Sequence, residues 1–270
     1  MPPSLAATAP AVLAVGAHPD DIEFLMAGTL LRLRDAGWRL HYLTVANGSC
    51  GTATESRDAI VARRRAEAIE AARCLGAVFH ESLVNDLEIL YTYDLVARVL
   101  AVVREACPRI LLVHSADDYM EDHSTSQRLA VTAAFCRGMV NYVSAPARPP
   151  VAEDVTIYHA MPAGLRSPLR ERVRAGQYVD TADRLGAKRA ALGCHRSQKE
   201  WLDHSQGMDS YLDTMAARDR EVGRLSGRFA YAEGWRRHHH LGFSADDGDP
   251  LAEALGGACW VDPAYEATLD

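Results

Sequence analysis

Residues 16–21, with the sequence GAHPDD, place one imidazole and two carboxylates within four positions. They follow the apolar run AVLAV and precede a helical pattern that begins at Ile22. His18 and Asp21 are three residues apart at this predicted strand-to-helix turn, so an imidazole nitrogen and a carboxylate oxygen could bind one cation. Asp20 lies between them and is expected to point elsewhere, towards a water molecule on that cation.

A third ligand for such a cation has to come from another strand end, because catalytic zinc sites commonly use three protein ligands and one open position. His123 follows the apolar run RILLVHS, in the polar segment ADDYMEDHSTSQ, just before a predicted helix. His114 competes with it, but His114 lies inside the apolar strand, where a hydrogen-bonded core histidine is more common. The residues therefore favour His18, Asp21 and His123. Iron(II) would suit this donor set as well as zinc does.

Two other interpretations of the GAHPDD turn compete with a metal site. A helix N-cap with a favourable dipole interaction would use a single Asp and leave the imidazole and the second carboxylate without a role. A dinucleotide site would need several glycines so that the backbone could approach a pyrophosphate. Only Gly16 is present, and the carboxylates that follow it repel phosphate.

The elements that position these side chains follow from the alternation of short apolar runs with longer amphipathic ones. The predicted strands are 11–17, 40–46, 77–80, 109–115 and 155–161, and the predicted helices are 22–36, 57–75, 94–106, 126–139, 180–195 and 210–225. This order predicts a Rossmann-like α/β fold, a doubly wound and mostly parallel sheet with helices on both faces. Sites in such sheets lie beyond the carboxyl ends of the strands. Residues 226–270 contain many Gly and Asp and give no clear assignment.

The length, charge and cysteine content of the chain limit the class of protein. The chain has 270 residues, 48% of them hydrophobic, which is enough for one large α/β domain with a substantial core or for two small domains. The net charge of -7 argues against a nucleic-acid partner. The six cysteines form no C-x-x-C pair, and the first apolar run is too short for a membrane span. We predict a cytoplasmic protein with no membrane partner. The sequence leaves the oligomeric state open, a homo-oligomer included.

At these residues the sequence resembles the PIG-L, or LmbE-like, family of zinc-dependent N-deacetylases. The family's Ala-His-Pro-Asp-Asp signature is present without change at residues 17–21. Its His-Pro-Asp-His segment is half kept, as MEDH at residues 120–123. Its Arg-x-x-Glu is matched by Arg64 and Glu67, and its His-x-Ser-Gln by HRSQ at residues 195–198. The resemblance covers roughly residues 11–198. It implies a single domain over 1–270, with this segment as its core and a C-terminal extension, 199–270.

The resemblance implies that His18, Asp21 and His123 bind zinc and that Asp20 is the general base. Zinc would lower the pKa of a water molecule and polarise an amide carbonyl, which agrees with the residue types. The family's substrates are small N-acetylglucosaminyl compounds, from which acetate is released. Two alternatives stay open: a metal-dependent hydrolase of another bond, such as an ester, and a metal- or sugar-binding protein without catalysis.

Three further residues are candidate substrate contacts. Arg64 could face the substrate or form a surface salt bridge with Glu67 at i, i+3. Met120 replaces the first histidine of the family segment, so it carries no charge there and could offer an apolar wall. His159 is near the end of a predicted strand and is the candidate to protonate the leaving amine, although a core histidine is the simpler interpretation. The turn at 47–51, NGSCG, could line the same pocket.

Overall fold

The computed structural model describes residues 9–198, 201 and 211–269, and the strands within them form one sheet. They are β1 (Ala11–Gly16), β2 (Arg39–Thr44), β3 (Ala77–His80), β4 (Ile110–Val113), β5 (Thr156–Ala160), β6 (Gln177–Asp180), β7 (Ala232–Arg237) and β8 (Cys259–Val261). Their order across the sheet is β3-β2-β1-β4-β5-β7-β6-β8. The first five are parallel, and β7, β6 and β8 are added in antiparallel pairs.

The α-helices of the described residues cover both faces of this sheet. They are α1 (Asp21–Leu25), α2 (Ala27–Asp35), α3 (Arg57–Leu75), α4 (Tyr93–Ala106), α5 (Glu121–Phe135), α6 (Leu185–Leu192), α7 (Tyr211–Ser226), α8 (Pro250–Leu255) and α9 (Pro263–Glu266). Alternate residues of β1 belong to two different core clusters: Val12 packs with α1 and α2, and Leu13 with α4 and α5. Every residue of β1 is therefore buried, as expected for a parallel strand between two helical layers. The predicted α/β, doubly wound, mostly parallel fold is confirmed.

The register of the parallel strands places three loops at one edge of the sheet. Gly16 at the end of β1 is paired with Thr44 at the end of β2. Val15 is paired with Val113, the last residue of β4. The segments that follow these three strands therefore start at the same level, and they carry the GAHPDD turn, the NGSCG turn and the loop before His123.

The predicted helix 22–36 is instead two helices, and a buried carboxylate explains the break. Met26 leaves the helical conformation, with φ -132°. Glu233 of β7 then accepts hydrogen bonds from the amides of Gly28 and Thr29 at 2.8 and 2.7 Å, which caps the start of α2. Lys188 of α6 neutralises Glu233, with its Nζ 2.7 Å from Glu233 and 2.7 Å from Asp219 of α7.

Helix α5 begins earlier than the predicted 126–139. It starts at Glu121, where two acidic residues in the first turn favour a helix N-terminus. His123 therefore lies in the first turn of α5 and not in a loop before it.

Short antiparallel strands were the hardest elements to predict. Strand β6 was not predicted, and helix α6 occupies only the central part of the predicted helix 180–195. Strands β7 and β8 lie in the segment that had no assignment. Residue 210, the predicted start of the next helix, is outside the described residues, and α7 is described from Tyr211. Within the described part of the chain, each helix is too short or too polar to cross a lipid bilayer.

Candidate metal centre and catalytic cavity

Asp21 is fixed by the backbone of the turn that precedes it. Its Oδ2 accepts hydrogen bonds from the amides of Ala17 at 3.0 Å and His18 at 2.7 Å. Its Oδ1 lies 3.4 Å from Nε2 of His123. Burial alone would raise the pKa of Asp21, but the imidazoles of His123 and His114 hold the pKa well below its usual range. Asp21 is thus an ionised carboxylate with one oxygen directed at a histidine.

The two other predicted ligands are each oriented by a carboxylate. Nε2 of His18 is 2.9 Å from Asp122 Oδ2, and Nδ1 of His18 is 3.6 Å from Asp21. In the same way, Nδ1 of His123 is 3.0 Å from Asp118 Oδ1, and its Nε2 faces Asp21. Each imidazole therefore has one nitrogen paired with a carboxylate and the other turned towards Asp21. Metal-ligating histidines are commonly held in this arrangement.

This cluster fits a divalent transition-metal ion. One ligand atom each from His18, Asp21 and His123 lies within 4.8 Å of the other two. Burial lowers the pKa of His18, but Asp122 and Asp21 outweigh it and raise that pKa to about 10. The same negative potential would attract a cation. Two nitrogens and one oxygen, with solvent access through the cavity described below, match the donor set of a catalytic site.

We predict that Asp118→Asn weakens metal binding about 10- to 100-fold, because His123 loses the carboxylate that orients it. Glu121→Gln is the matched control, since Glu121 is an exposed carboxylate on the same segment. Competition with a chelating dye measures both affinities. Equal affinities in the two variants would contradict a role for Asp118 in orienting His123.

His114 lies behind the cluster. It is fully buried, its Nε2 accepts from the amide of Ala17 at 2.9 Å, and its ring stacks on His123 with centroids 4.1 Å apart. His114, Asp118 and His123 could also surround an ion, but all three are buried. We therefore assign His114 to the support of His123.

Asp20 lines the same cavity as the cluster, but its carboxylate contacts a different pair of residues. Its carboxylate accepts a hydrogen bond from the hydroxyl of Tyr211 at 2.6 Å and lies 3.5 Å from Nη2 of Arg64. Burial raises the pKa of Asp20 to about 6, although Arg64 opposes this. Such a pKa suits a group that accepts a proton near neutral pH. The backbone of Asp20 is in the left-handed region, with φ 109°, a strain often found at functional sites.

Arg64 is buried among the backbone of two loops. Its Nη2 donates to the carbonyl of Pro19 at 2.6 Å, and its Nη1 donates to that of Gly48 at 3.4 Å. A Cβ atom would lie 2.5 Å from Arg64 at Gly48 and 2.3 Å from it at Gly51. The NGSCG turn thus needs glycine to pass over this guanidinium. Asp86 holds the turn in place by accepting from the amides of Gly48 at 2.7 Å and Cys50 at 2.8 Å.

We predict that Gly48→Ala destabilises the protein by at least about 1 kcal/mol, because φ is +80° and the new Cβ meets a buried side chain. Gly186→Ala is the control, since Gly186 lies in α6 with open space at its Cβ position, where alanine favours the helix. Chemical unfolding of both variants measures the effect. A Gly48→Ala protein as stable as the wild type would show that the turn and Arg64 can rearrange freely.

The alternative of a surface salt bridge between Arg64 and Glu67 does not agree with the structure. Both residues are buried, and Arg64 turns to Pro19 and Asp20. Glu67 instead accepts from the backbone amide of Ser197 at 3.0 Å and from its hydroxyl at 2.5 Å. The HRSQ segment therefore docks on α3 through a buried carboxylate.

The cluster, Asp20 and Arg64 line one cavity of about 790 Å³. Its buried wall contains Asp86 and Tyr211 as well, and its outer wall contains Met120, Tyr119 and Leu87. Tyr119 and Leu87 are largely exposed. The cavity thus has a charged floor and a partly apolar mouth. Met120 lies in its wall, as expected for an apolar surface offered to a ligand.

His159 is not brought to this cavity, contrary to the expectation. It lies on β5, with Nδ1 3.0 Å from the carbonyl of His114 and Nε2 2.9 Å from Nδ1 of His238. It lines a separate cavity of about 300 Å³. Burial lowers its pKa to about 4. Strand β5 does end at the expected edge of the sheet, but both ring nitrogens of His159 already have hydrogen-bond partners, the carbonyl of His114 and the ring of His238.

Four residues of the site were not found from the sequence. Asp118 and Asp122 flank His123 closely, and an acidic residue near a predicted histidine ligand was a signal that could have identified them. Asp86 follows the third strand but has no motif around it. Tyr211 is 191 positions away from Asp20, and nothing in its local sequence indicates the contact.

The fold and these side chains define an α/β protein with a carboxylate-oriented His-Asp-His cluster at the carboxyl edge of its sheet. Residues 13–134 match the family model described as PIG-L: GlcNAc-PI de-N-acetylase. The expected resemblance to the PIG-L, or LmbE-like, family is confirmed over this segment.

Two relatives and one solved structure are similar to this protein over most of its length. The diacetylchitobiose deacetylase of Thermococcus kodakarensis is 28% identical over 237 residues, 83% of this chain and 82% of that protein. The 4-oxalmesaconate hydratase of Pseudomonas putida is 26% identical over 241 residues, 82% of this chain and 86% of that protein. The crystal structure of N,N'-diacetylchitobiose deacetylase from Pyrococcus horikoshii superposes with a TM-score of 0.72 at 23% identity, covering 91% of this chain and 90% of that one. The relatives thus include deacetylases of N-acetylated sugars and a hydratase.

Proposed function

We propose that this protein is a zinc-dependent N-deacetylase of a small N-acetylglucosaminyl compound. The observation that carries the proposal is the joint placement of His18, Asp21 and His123 around one point, with Asp20 beside them in the same cavity. His18, Asp21 and His123 would hold the ion. Iron(II) is the alternative that the same donors would accept.

The place of Asp20 in the cavity and a pKa that burial raises to about 6 support its role as the general base. When bound, the ion activates water and polarises the amide carbonyl. Asp20 takes the proton from the attacking water, because its pKa of about 6 leaves it largely ionised at neutral pH. It then carries that proton. Among the described residues, the imidazoles that line the cavity are those of the two proposed ligands, His18 and His123. We assign the protonation of the leaving amine to Asp20 as well.

Arg64 and the cavity walls would place the sugar. Arg64 lines the cavity, and its buried Nε has no hydrogen-bond partner among the described residues, so a substrate hydroxyl could satisfy it. Met120 supplies an apolar face near the reacting amide. The volume of about 790 Å³ lies within the range of small-molecule sites. A cytoplasmic location, a single domain and the lack of a nucleic-acid partner remain predictions that accompany this proposal.

Acetate release from N-acetylated amino sugars and their conjugates tests the function, together with elemental analysis of the purified protein. The panel should include O-acetyl esters of the same sugars, and unsaturated carboxylic acids because one relative is a hydratase. Acetate and free amine from the N-acetyl compounds are expected. Turnover of only the esters or only the unsaturated acids would contradict an N-deacetylase and would indicate an esterase or a hydratase instead. Metal or sugar binding with no turnover would favour a binding protein.

A further inference from the structure

Tyr211 approaches Asp20 from α7, outside the segment that matches the family model. Both residues are buried, and the Tyr211 hydroxyl donates to Asp20 Oδ2 at 2.6 Å. The Tyr211 ring stacks on Phe24 of α1, with centroids 5.2 Å apart and 19° between the ring planes. Asp20 is the N-cap of the same helix. The contact between the two rings therefore fixes the position of the Tyr211 hydroxyl relative to the Asp20 carboxylate.

The other oxygen of Asp20 is occupied by a different part of the chain. Oδ1 lies 3.5 Å from Nη2 of Arg64, which is anchored on the carbonyl of Pro19. A carboxylate rotates about χ2 in a broad energy well, so one donor leaves its orientation loose. The hydrogen bond from Tyr211 on α7 and the ion pair with Arg64 on α3 together fix the plane of this carboxylate.

We infer that Tyr211 is a positioning residue, whose hydroxyl holds the Asp20 carboxylate in the orientation that accepts the proton of the attacking water. The inference rests on the proposed role of Asp20 as the base. Tyr211 acts through Asp20, because its hydroxyl hydrogen is directed to Oδ2. Small errors in the placement of a reacting group can lower a rate about 100-fold, so the loss of one donor is expected to affect turnover.

The test is Tyr211→Phe in the metal-loaded full chain, which keeps the ring on Phe24 and removes the hydroxyl. A fall in kcat of about 10- to 100-fold is expected, with KM and metal content unchanged. In an Asp20→Gly background the same change should have no further effect on kcat, since both residues act through one carboxylate. Glycine suits the φ of 109° at this position.

Tyr42→Phe is the matched control. Tyr42 is another buried tyrosine, its hydroxyl lies 3.3 Å from Glu23, and it does not line the cavity. Its kcat should equal that of the wild type.

Three results would overturn the inference. They are an unchanged kcat in Tyr211→Phe, an equal loss of kcat in both backgrounds, and a raised KM with unchanged kcat, which would indicate a substrate contact.

A wild-type chain that releases no acetate would refute the proposed function, and thermal unfolding then tests the contact separately. Tyr211→Phe should lower the Tm of the wild-type chain by about 2–4 °C and that of the Asp20→Gly chain by less. Equal shifts in the two backgrounds would show that the hydroxyl does not act on Asp20.

Discussion

His18→Ala and Asp21→Asn are expected to lose both the bound metal and all measurable turnover. Three protein ligands are the usual minimum for a catalytic zinc, and each of these changes leaves only two of the three proposed ligands intact. Asparagine at position 21 can still accept the amide hydrogen bonds of Ala17 and His18, so the turn should keep its shape. Elemental analysis after dialysis measures the metal, and circular dichroism checks the fold.

His239→Ala is the control for loosely bound metal, because His239 is an exposed imidazole in the run at 238–240. It should keep full occupancy and full activity. A folded His18→Ala or Asp21→Asn protein with a full complement of metal would contradict the ligand assignment.

Asp20→Asn should keep its metal and lose activity about 10²- to 10⁴-fold, the usual contribution of a general base. Asparagine is nearly the same size and tolerates positive φ better than most residues, so the strained turn should survive. The amide cannot accept the proton as the carboxylate does. Steady-state kinetics and elemental analysis on one preparation separate the two effects.

Asn47→Ser is the control, because it also changes a polar side chain at this edge of the sheet. Asn47 forms a hydrogen bond with Asn85 and does not line the cavity. It should change kcat little. Loss of metal from Asp20→Asn would make Asp20 a ligand and exchange the roles of Asp20 and Asp21.

The sequence was sufficient for the parallel half of the fold because strands buried on both faces are continuous apolar runs. Strand β3 and helix α3 were predicted at their observed bounds, and for α3 the signal was Gly76, which caps its end. Strands β6 to β8 are short and less regular. Their pairing depends on distant partners, which a local pattern does not contain.

The candidate site likewise contains residues that the local sequence predicts and residues that depend on distant packing. His18, Asp20, Asp21 and His123 were predicted because they lie where strands end, and a shared edge of a parallel sheet brings such positions together. His159 met the same criterion but was misplaced, because strand position does not say where the ring finds its hydrogen bonds. Tyr211 depends on how α7 packs against α1, and that packing could be read only from the three-dimensional structure.

The buried carboxylate that caps α2 has a consequence for how the chain can be divided. Glu233 and its partner Lys188 are fully buried, yet they lie far beyond residue 134, where the family match ends. A fragment limited to that match would lose the cap on α2 and expose the face that β7 covers. The amides of Gly28 and Thr29 would then lose the carboxylate that accepts their hydrogen bonds. The segment that matches the family model is therefore shorter than the unit that can fold, and a graft of the GAHPDD half would have to carry β7 and α6 with it.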